Sequence, residues 1–394
     1  MTAERSGGPR GPQPGERLRQ EVRPTYLDHA ASSPMRPEVL EAMLPYLRGA
    51  HANPSGVHAG ARSARRSLDE ARETLAAALA CEPDEVVLTS GGTESDNLAV
   101  RGVHARGGGR VVVSAVEHPA VLRPAAAAGG VVVPVGADAL VDLDALVALL
   151  DPSVGLVSVM LVNSEIGVVE PIRDVVALAR ERAPRAAVHC DAVQAPLWLD
   201  VGEATSGCDL VSVAAHKLGG PRGIGALVVR RAARAAISPI LGGGSQEWGL
   251  RPGTENLAGA VGMAAAVAMA LAERPAVAAR VAGLRDRLAD GFVALGGVEP
   301  APRSGRVAGN AHVRFPGVEA EELLLLLDDR GVAASAGSAC ASGAHEPSHV
   351  LTAMGWSGAE ARESVRFSLG ATTTVAEVDH ASRVVADAVE RLRA

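Results

Sequence analysis

Seven short apolar runs constrain this chain more than anything else in it. Residues 86–89, 110–114, 131–135, 154–162, 186–189, 210–213 and 224–229 are apolar almost throughout, and Ala/Leu/Arg-rich helical stretches separate most of them. A strand with one wet face alternates polar and apolar residues, whereas a strand covered on both faces does not. Uniformly apolar runs with helices between them therefore predict an α/β domain built on a mainly parallel, seven-stranded sheet flanked by helices. The chain is 47% hydrophobic but only 2% aromatic, so Ala, Val and Leu must fill its core.

The rest of the chain is organised around that domain. Residues 1–24 are rich in Gly, Pro, Arg and Glu and are expected to form a disordered tail. Residues 25–272 make the large domain, whose first ten or so residues are placed against the smaller one. The Ala-rich stretch 255–295 reads as one long helix, with the boundary near residue 272 inside it. Residues 273–394 form a second, smaller α/β unit, with strands at 311–315, 332–335 and 364–368 and helices at 319–330, 348–354 and 375–393. The formal net charge is −7 and no long basic run is present. That excludes a general nucleic-acid surface. The apolar runs are short and broken, which predicts no membrane span. Cys81, Cys190, Cys208 and Cys340 are widely spaced, with no CxxC pair and no secretory signal. They read as free thiols of a reducing, cytoplasmic protein with no metal site.

Open parallel sheets bind ligands beyond the carboxyl ends of their strands. The residues following the predicted strands are polar in five cases: Gly91-Gly92-Thr93, His118, Asn163, Asp191 with Gln194, and His216-Lys217, which Ser212 precedes. Lys217 is the only lysine in the chain. Arginine supplies a fixed charge but stays protonated, so it cannot form a Schiff base as lysine can. Gly92 and Thr93 open a helix, where exposed amides and the helix dipole favour an anion, although an ordinary N-cap reads the same way. Asp191 is a carboxylate at an apolar strand end and needs a partner, for which a protonated pyridine nitrogen or an arginine would serve. His118, beside a Pro turn, reads equally as structural. Taken together, a phosphate cradle, an acidic strand end and a unique lysine fit pyridoxal 5′-phosphate. The lysine would hold its aldehyde and the carboxylate would keep its ring nitrogen protonated, leaving the reaction open.

Longer motifs sharpen this. Tyr26-Leu-Asp-His-Ala-Ala31, Thr89-Ser-Gly-Gly-Thr-Glu-Ser-Asp-Asn97, Glu117-His-Pro-Ala-Val121, Val162-Asn-Ser-Glu-Ile-Gly167, His189-Cys-Asp-Ala-Val-Gln194, His216-Lys-Leu-Gly-Gly-Pro221, Arg251-Pro-Gly-Thr-Glu-Asn256 and Ser335-Ala-Gly-Ser-Ala-Cys-Ala-Ser342 occur in that order. The chain resembles the NifS/IscS-type cysteine desulfurases of the class V aminotransferase superfamily from about Tyr26 to its C-terminus. The resemblance implies a PLP-dependent L-cysteine desulfurase that yields L-alanine and a persulfide on Cys340. It implies that Lys217 carries the cofactor and that His118 lies on the ring and moves protons. Asp191 would pair with the pyridine nitrogen and Gln194 with the ring hydroxyl. Gly92, Thr93, Ser212 and His216 would hold the phosphate, together with Thr254 from a neighbouring subunit of a homodimer. Asn163 and Arg366 would take the substrate carboxylate. The partner implied is a sulfur acceptor, such as an iron–sulfur scaffold, a tRNA-thiolating enzyme or a DNA-phosphorothioation system. The competing readings are a selenocysteine lyase or other class V lyase, and a sulfur-delivery docking partner with little turnover. Two positions depart from the family pattern: Ser245 replaces a third glycine in Gly243-Gly-Ser-Gln-Glu247, and Gly56 replaces a serine.

Overall fold

The computed structural model describes residues 24–49, 52–337 and 347–394. Cys340 and nearly all of the N-terminal stretch lie outside the described residues. The described chain begins with β1 (Thr25–Tyr26), α1 (Pro37–Arg48) and α2 (Ala59–Ala78). It continues through β2 (Val86–Thr89), α3 (Gly92–Gly107), β3 (Arg110–Ser114), α4 (Pro119–Ala127) and β4 (Val131–Val133). Then come α5 (Leu143–Leu149), β5 (Val154–Ser158), α6 (Ile172–Arg182), β6 (Ala187–Asp191), α7 (Val201–Ala204), β7 (Leu210–Ala214) and β8 (Gly225–Val229). The long helix α8 (Leu257–Ala294) leads to β9 (Asn310–Arg314), α9 (Ala320–Asp329), β10 (Val332–Ala333), α10 (His349–Ala353), α11 (Gly358–Arg362), β11 (Ser364–Ser368) and α12 (Val375–Arg393).

The central sheet has seven strands in the order β2-β8-β7-β6-β5-β3-β4. The strands from β7 to β4 are parallel to their neighbours, and β8 is antiparallel to both β2 and β7. All seven apolar runs thus became strands of one sheet. Two of them are shorter than their apolar content predicts. The run 154–162 ends as strand at Ser158, and 159–162 continues as irregular backbone in which Val159 and Leu161 donate to the carbonyls of His189 and Asp191. Its apolar character reports burial rather than extension. The run 131–135 stops at Val133, before Pro134, which has no N–H to continue the ladder. It forms the sheet edge, and Val132 is exposed rather than covered.

Side-chain alternation splits the sheet into two cores. Val87, Val111, Leu156, Leu210 and Leu227 face α3 and α4. Their neighbours Val86, Val112, Val157, Val211 and Val228 join the larger core of α2, α6 and α8. By length and composition α8 is apolar enough to cross a membrane, which the sequence reading did not anticipate; 56% of its most apolar stretch is buried in the fold, as in a core helix. It packs along α1, α2 and α12 and carries Pro275 close to the expected domain boundary.

In the smaller unit β9 pairs antiparallel with β11, and β1 pairs parallel with β10. Asp28 bridges to Ser368, so the stretch after β1 is held beside β11. All three phenylalanines of the chain meet here, Phe292 lying 5.6 Å from Phe315 and 4.7 Å from Phe367 between ring centroids. One aromatic cluster anchors this unit where the rest of the protein relies on aliphatic packing.

Candidate active site

The carboxyl ends of β5, β6 and β7 change from apolar to polar on one face only. On the face toward α3, Leu156, Ala187 and Leu210 give way one step later to Ser158, His189 and Ser212, and then to Asp191. His189 joins Ser158 Oγ through Nδ1 (2.8 Å) and Ser212 Oγ through Nε2 (3.0 Å), and Asp96 of α3 stands 3.6 Å from that Nε2. Burial holds His189 down at about 3, so it stays neutral, and pushes the Asp96 carboxyl well up, a direction reinforced by the charge of Asp191.

Asp191 ends β6 and is 5% exposed. Its Oδ1 accepts from the amide of Val193 at 2.9 Å. Burial raises its pKa, while the positive potentials of His118 and Lys217 oppose the rise. His118 caps α4, its Nδ1 accepting from Ala120 N at 3.1 Å, which leaves Nε2 to carry the proton of the neutral ring. Burial lowers its pKa; Asp191 works against this, and Lys217 and His349 add to it. Glu117, next in sequence, is fully buried, and Met160 N donates to its Oε1.

Lys217 closes a short 3-10 turn after β7. Its Nζ donates to the carbonyls of Ala30 and Ala31, the latter at 2.8 Å. Gln194 Nε2 reaches the same Ala30 carbonyl at 2.9 Å. Ser33 fastens this stretch to the lysine turn, its amide donating to His216 O and its hydroxyl to Lys217 O. The polar turn after β1 is thus folded over the lysine, a role its sequence did not reveal. Burial, Lys217 and Arg222 together lower His216 to about 4.

The N-terminus of α3 approaches through glycine. Gly91 caps the helix at φ 150°, ψ −178°, a region essentially closed to other residues. A Cβ on Gly92 would come within 2.7 Å of Val193 Cγ2, so this helix start sits directly against the Asp191 loop. Thr93 in the first turn is exposed, as is Thr254 in the loop before α8.

Three expected site residues are placed differently from the reading or are already engaged. Ser212, expected at the phosphate, is fully buried and bonded to His189, in the layer beneath the strand ends. This placement follows from the pleat: Ser212 faces α3 two residues before the strand ends at Ala214. Asn163 is buried, its Oδ1 accepting from Glu165 N and Ile166 N and its Nδ2 donating to Val116 O. Arg366 on β11 donates to Asp28 Oδ1 (2.8 Å) and Ser164 O (3.0 Å), and its buried Nε has no partner among the described residues. Asn163, Gln194, Lys217 and His29 line one cleft between the two units.

The two glycine departures are explained locally. Ser245 has φ −94°, where any residue fits. A Cβ on Gly56 would come within 2.9 Å of Ala61 Cβ.

The donor set fits pyridoxal phosphate: a lysine amine, a buried carboxylate within range of its charge, and a glycine-built helix start against the same loop. Known proteins agree. The aminotransferase class-V family model matches residues 25–380. The chain is 44% identical over 391 residues to an IscS-like cysteine desulfurase of Mycobacterium tuberculosis, covering 93% of this chain and 97% of the relative. It is 40% identical over 387 residues to the cysteine desulfurase IscS of Dictyoglomus turgidum, covering 94% and 96%. Among solved structures, a NifS-like protein superposes with TM-score 0.87 at 31% identity over 93% of this chain and 100% of that one. SspA, solved in complex with cysteine, superposes with TM-score 0.75 at 33% identity over 87% and 98%.

Proposed function

The chain belongs to the class V aminotransferases and is a cysteine desulfurase of that pyridoxal-phosphate-dependent family; from this premise we propose how its residues divide the reaction. Lys217 holds the cofactor and moves protons at its Nζ. Asp191 pairs with the pyridine nitrogen and Gln194 with the ring hydroxyl. Gly92, Thr93 and His216 hold the phosphate, and Thr254 of a second copy completes that site in a homodimer. When bound, the cofactor supplies an electron sink for the amino-acid substrate. His118 exchanges protons at Nε2, the nitrogen not engaged by Ala120 N. Arg366 and Asn163 hold the substrate carboxylate.

The Cys340 thiolate attacks the sulfur of substrate cysteine. The new S–S bond forms as the substrate C–S bond breaks, its electron pair stays on carbon, and a proton completes alanine. The persulfide on Cys340 then passes to an acceptor protein, of the iron–sulfur, tRNA-thiolating or DNA-phosphorothioating kind. We place this chemistry in the cytoplasm, where the free thiols of Cys81, Cys190 and Cys208 are at home.

The observation that supports this reading best is the placing of three residues at one end of the sheet: Asp191 closes β6, His118 caps α4 after β3, and Lys217 stands in the turn after β7. Two variants test it. Lys217→Ala is expected to lose the visible absorbance of lysine-bound cofactor together with all alanine formation. Cys340→Ser should keep the absorbance and form no persulfide, read as a one-sulfur mass gain on the peptide containing residue 340. Alanine formation at the wild-type rate by Cys340→Ser would remove the sulfur-transfer role. A parallel assay with selenocysteine separates desulfurase from selenocysteine lyase.

A further inference from the structure

Glu165 has no part in the roles assigned above, yet it is among the most constrained side chains of the molecule. It lies in the turn after β5, is 3% exposed, and its buried Oε1 has no hydrogen-bond partner among the described residues. Its Oε2 accepts from Ser348 Oγ at 2.7 Å. Its side chain also lies across the backbone of Gly337, where a Cβ would come within 2.6 Å of Glu165 Cγ and 2.8 Å of Oε1. Gly337 has φ 79°, so glycine is required there on two grounds. The backbone carbonyl of Glu165 accepts from Asn310 Nδ2 (3.0 Å) and His312 Nδ1 (3.2 Å) on β9. Gly337 and Ser348 flank, on opposite sides, the segment of the chain that contains Cys340.

We propose that Glu165 is a positioning residue for the sulfur-accepting cysteine: it fastens both flanks of the Cys340 segment to the turn after β5, and the attack on sulfur depends on it while cofactor and substrate binding do not. The proposal rests on the reading of Cys340 as the nucleophile. Ser348 is the natural second half of the clasp. It donates to Glu165 and at the same time caps α10 by accepting from Leu351 N at 3.2 Å. Burial pushes the Glu165 carboxyl up to about 7, against the opposing influence of Ser348 and of the Arg366 charge. The other titratable group packed on this turn, His312, is held neutral by burial, at about 3. Ionisation of Glu165 therefore puts a charge into the clasp as pH rises through 7, which the Ser348 hydroxyl and the Arg366 charge offset only in part.

The test compares Glu165→Ala, Glu165→Gln, Ser348→Ala and Cys340→Ser as cofactor-loaded enzymes. Glu165→Ala should lower kcat for alanine formation about tenfold, with KM for cysteine and the visible absorbance of bound cofactor within about twofold of wild type. Glu165→Gln retains an acceptor for Ser348 and should restore kcat to within about threefold below pH 7; above pH 7 it should gain on wild type, because it cannot ionise. In cofactor-free protein, the rate of Cys340 alkylation by iodoacetamide should change more than about threefold in Glu165→Ala and in Ser348→Ala. A kcat unchanged in Glu165→Ala, or a kcat that falls only in step with cofactor occupancy, overturns the proposal while Cys340→Ser stays inactive. An active Cys340→Ser overturns the nucleophile assignment and this proposal with it.

Discussion

Ser212 and Lys217 stand five residues apart and serve different layers. The strand ends at Ala214, so Ser212 stays inside the pleat while Lys217 turns out over the strand ends. Ser212→Ala should therefore cost about 1–3 kcal/mol of stability, the penalty for leaving His189 Nε2 short of a partner, and should leave cofactor affinity unchanged. Thermal melts and a cofactor titration of the variant check both halves; a large loss of affinity would return Ser212 to the phosphate site. The same contrast shows what a sequence reveals at this scale. The positions of Asp191 and Lys217 beyond apolar strands were legible because each is an unusual residue where an apolar run gives out. Glu165 was quoted within a motif but not singled out, because its significance lies in Gly337 and Ser348, more than 170 positions away. The burial of Ser212 was not legible, because a hydroxyl near the lysine does not show which side of the pleat it occupies.

Elements were more legible than contacts between them. Period and composition marked every sheet strand, since burial on two faces demands it. Nothing in the sequence paired Arg72 of α2 with Glu247, yet this ion pair ties a distant turn to the sheet. Arg72 bonds both Glu247 oxygens, at 2.8 and 2.9 Å, and the Val86 carbonyl, and Leu88 N donates to Glu247 Oε2. Trp248 lies under the Arg72 guanidinium, 4.6 Å from it. Glu247 and Trp248 both adopt positive φ, 49° and 55°, a strained turn that this clamp holds. The turn leads into the loop bearing Thr254. Removing one partner of a buried pair strands the other charge, so Arg72→Ala should cost about 3–5 kcal/mol. The double change Arg72→Met with Glu247→Met should cost less than either single change. Melting temperatures of the three variants decide this, and a double variant less stable than both singles would contradict it.

At the scale of the whole molecule, buried titratable groups set the response to pH. Burial pushes Glu165 up to about 7 and Glu170 to about 8, the latter carboxyl accepting from Val141 N at 2.9 Å. Both would ionise near 4.5 in the unfolded chain, so above that pH the folded chain binds more protons and stability falls as pH rises. Burial also lowers His29 to about 4 and His189 and His312 to about 3, against an ordinary 6.5. Below 6.5 the unfolded chain therefore binds more protons at these sites, and stability falls as pH drops. Between about pH 4.5 and 6.5 the two sets oppose each other. Above 6.5 the histidines are neutral in both states and only the carboxyls act. The melting temperature of the cofactor-free protein should accordingly be nearly level from about pH 5 to 6.5, fall between about 6.5 and 8, and level off above 8, where both carboxyls are ionised in the folded chain as well. Glu170→Gln should flatten the alkaline part of that curve, because the amide has no proton to lose. A melting temperature that stayed level between pH 6.5 and 8 would mean that Glu165 and Glu170 are already ionised in the folded state, and that water or a cation reaches groups which the packing encloses.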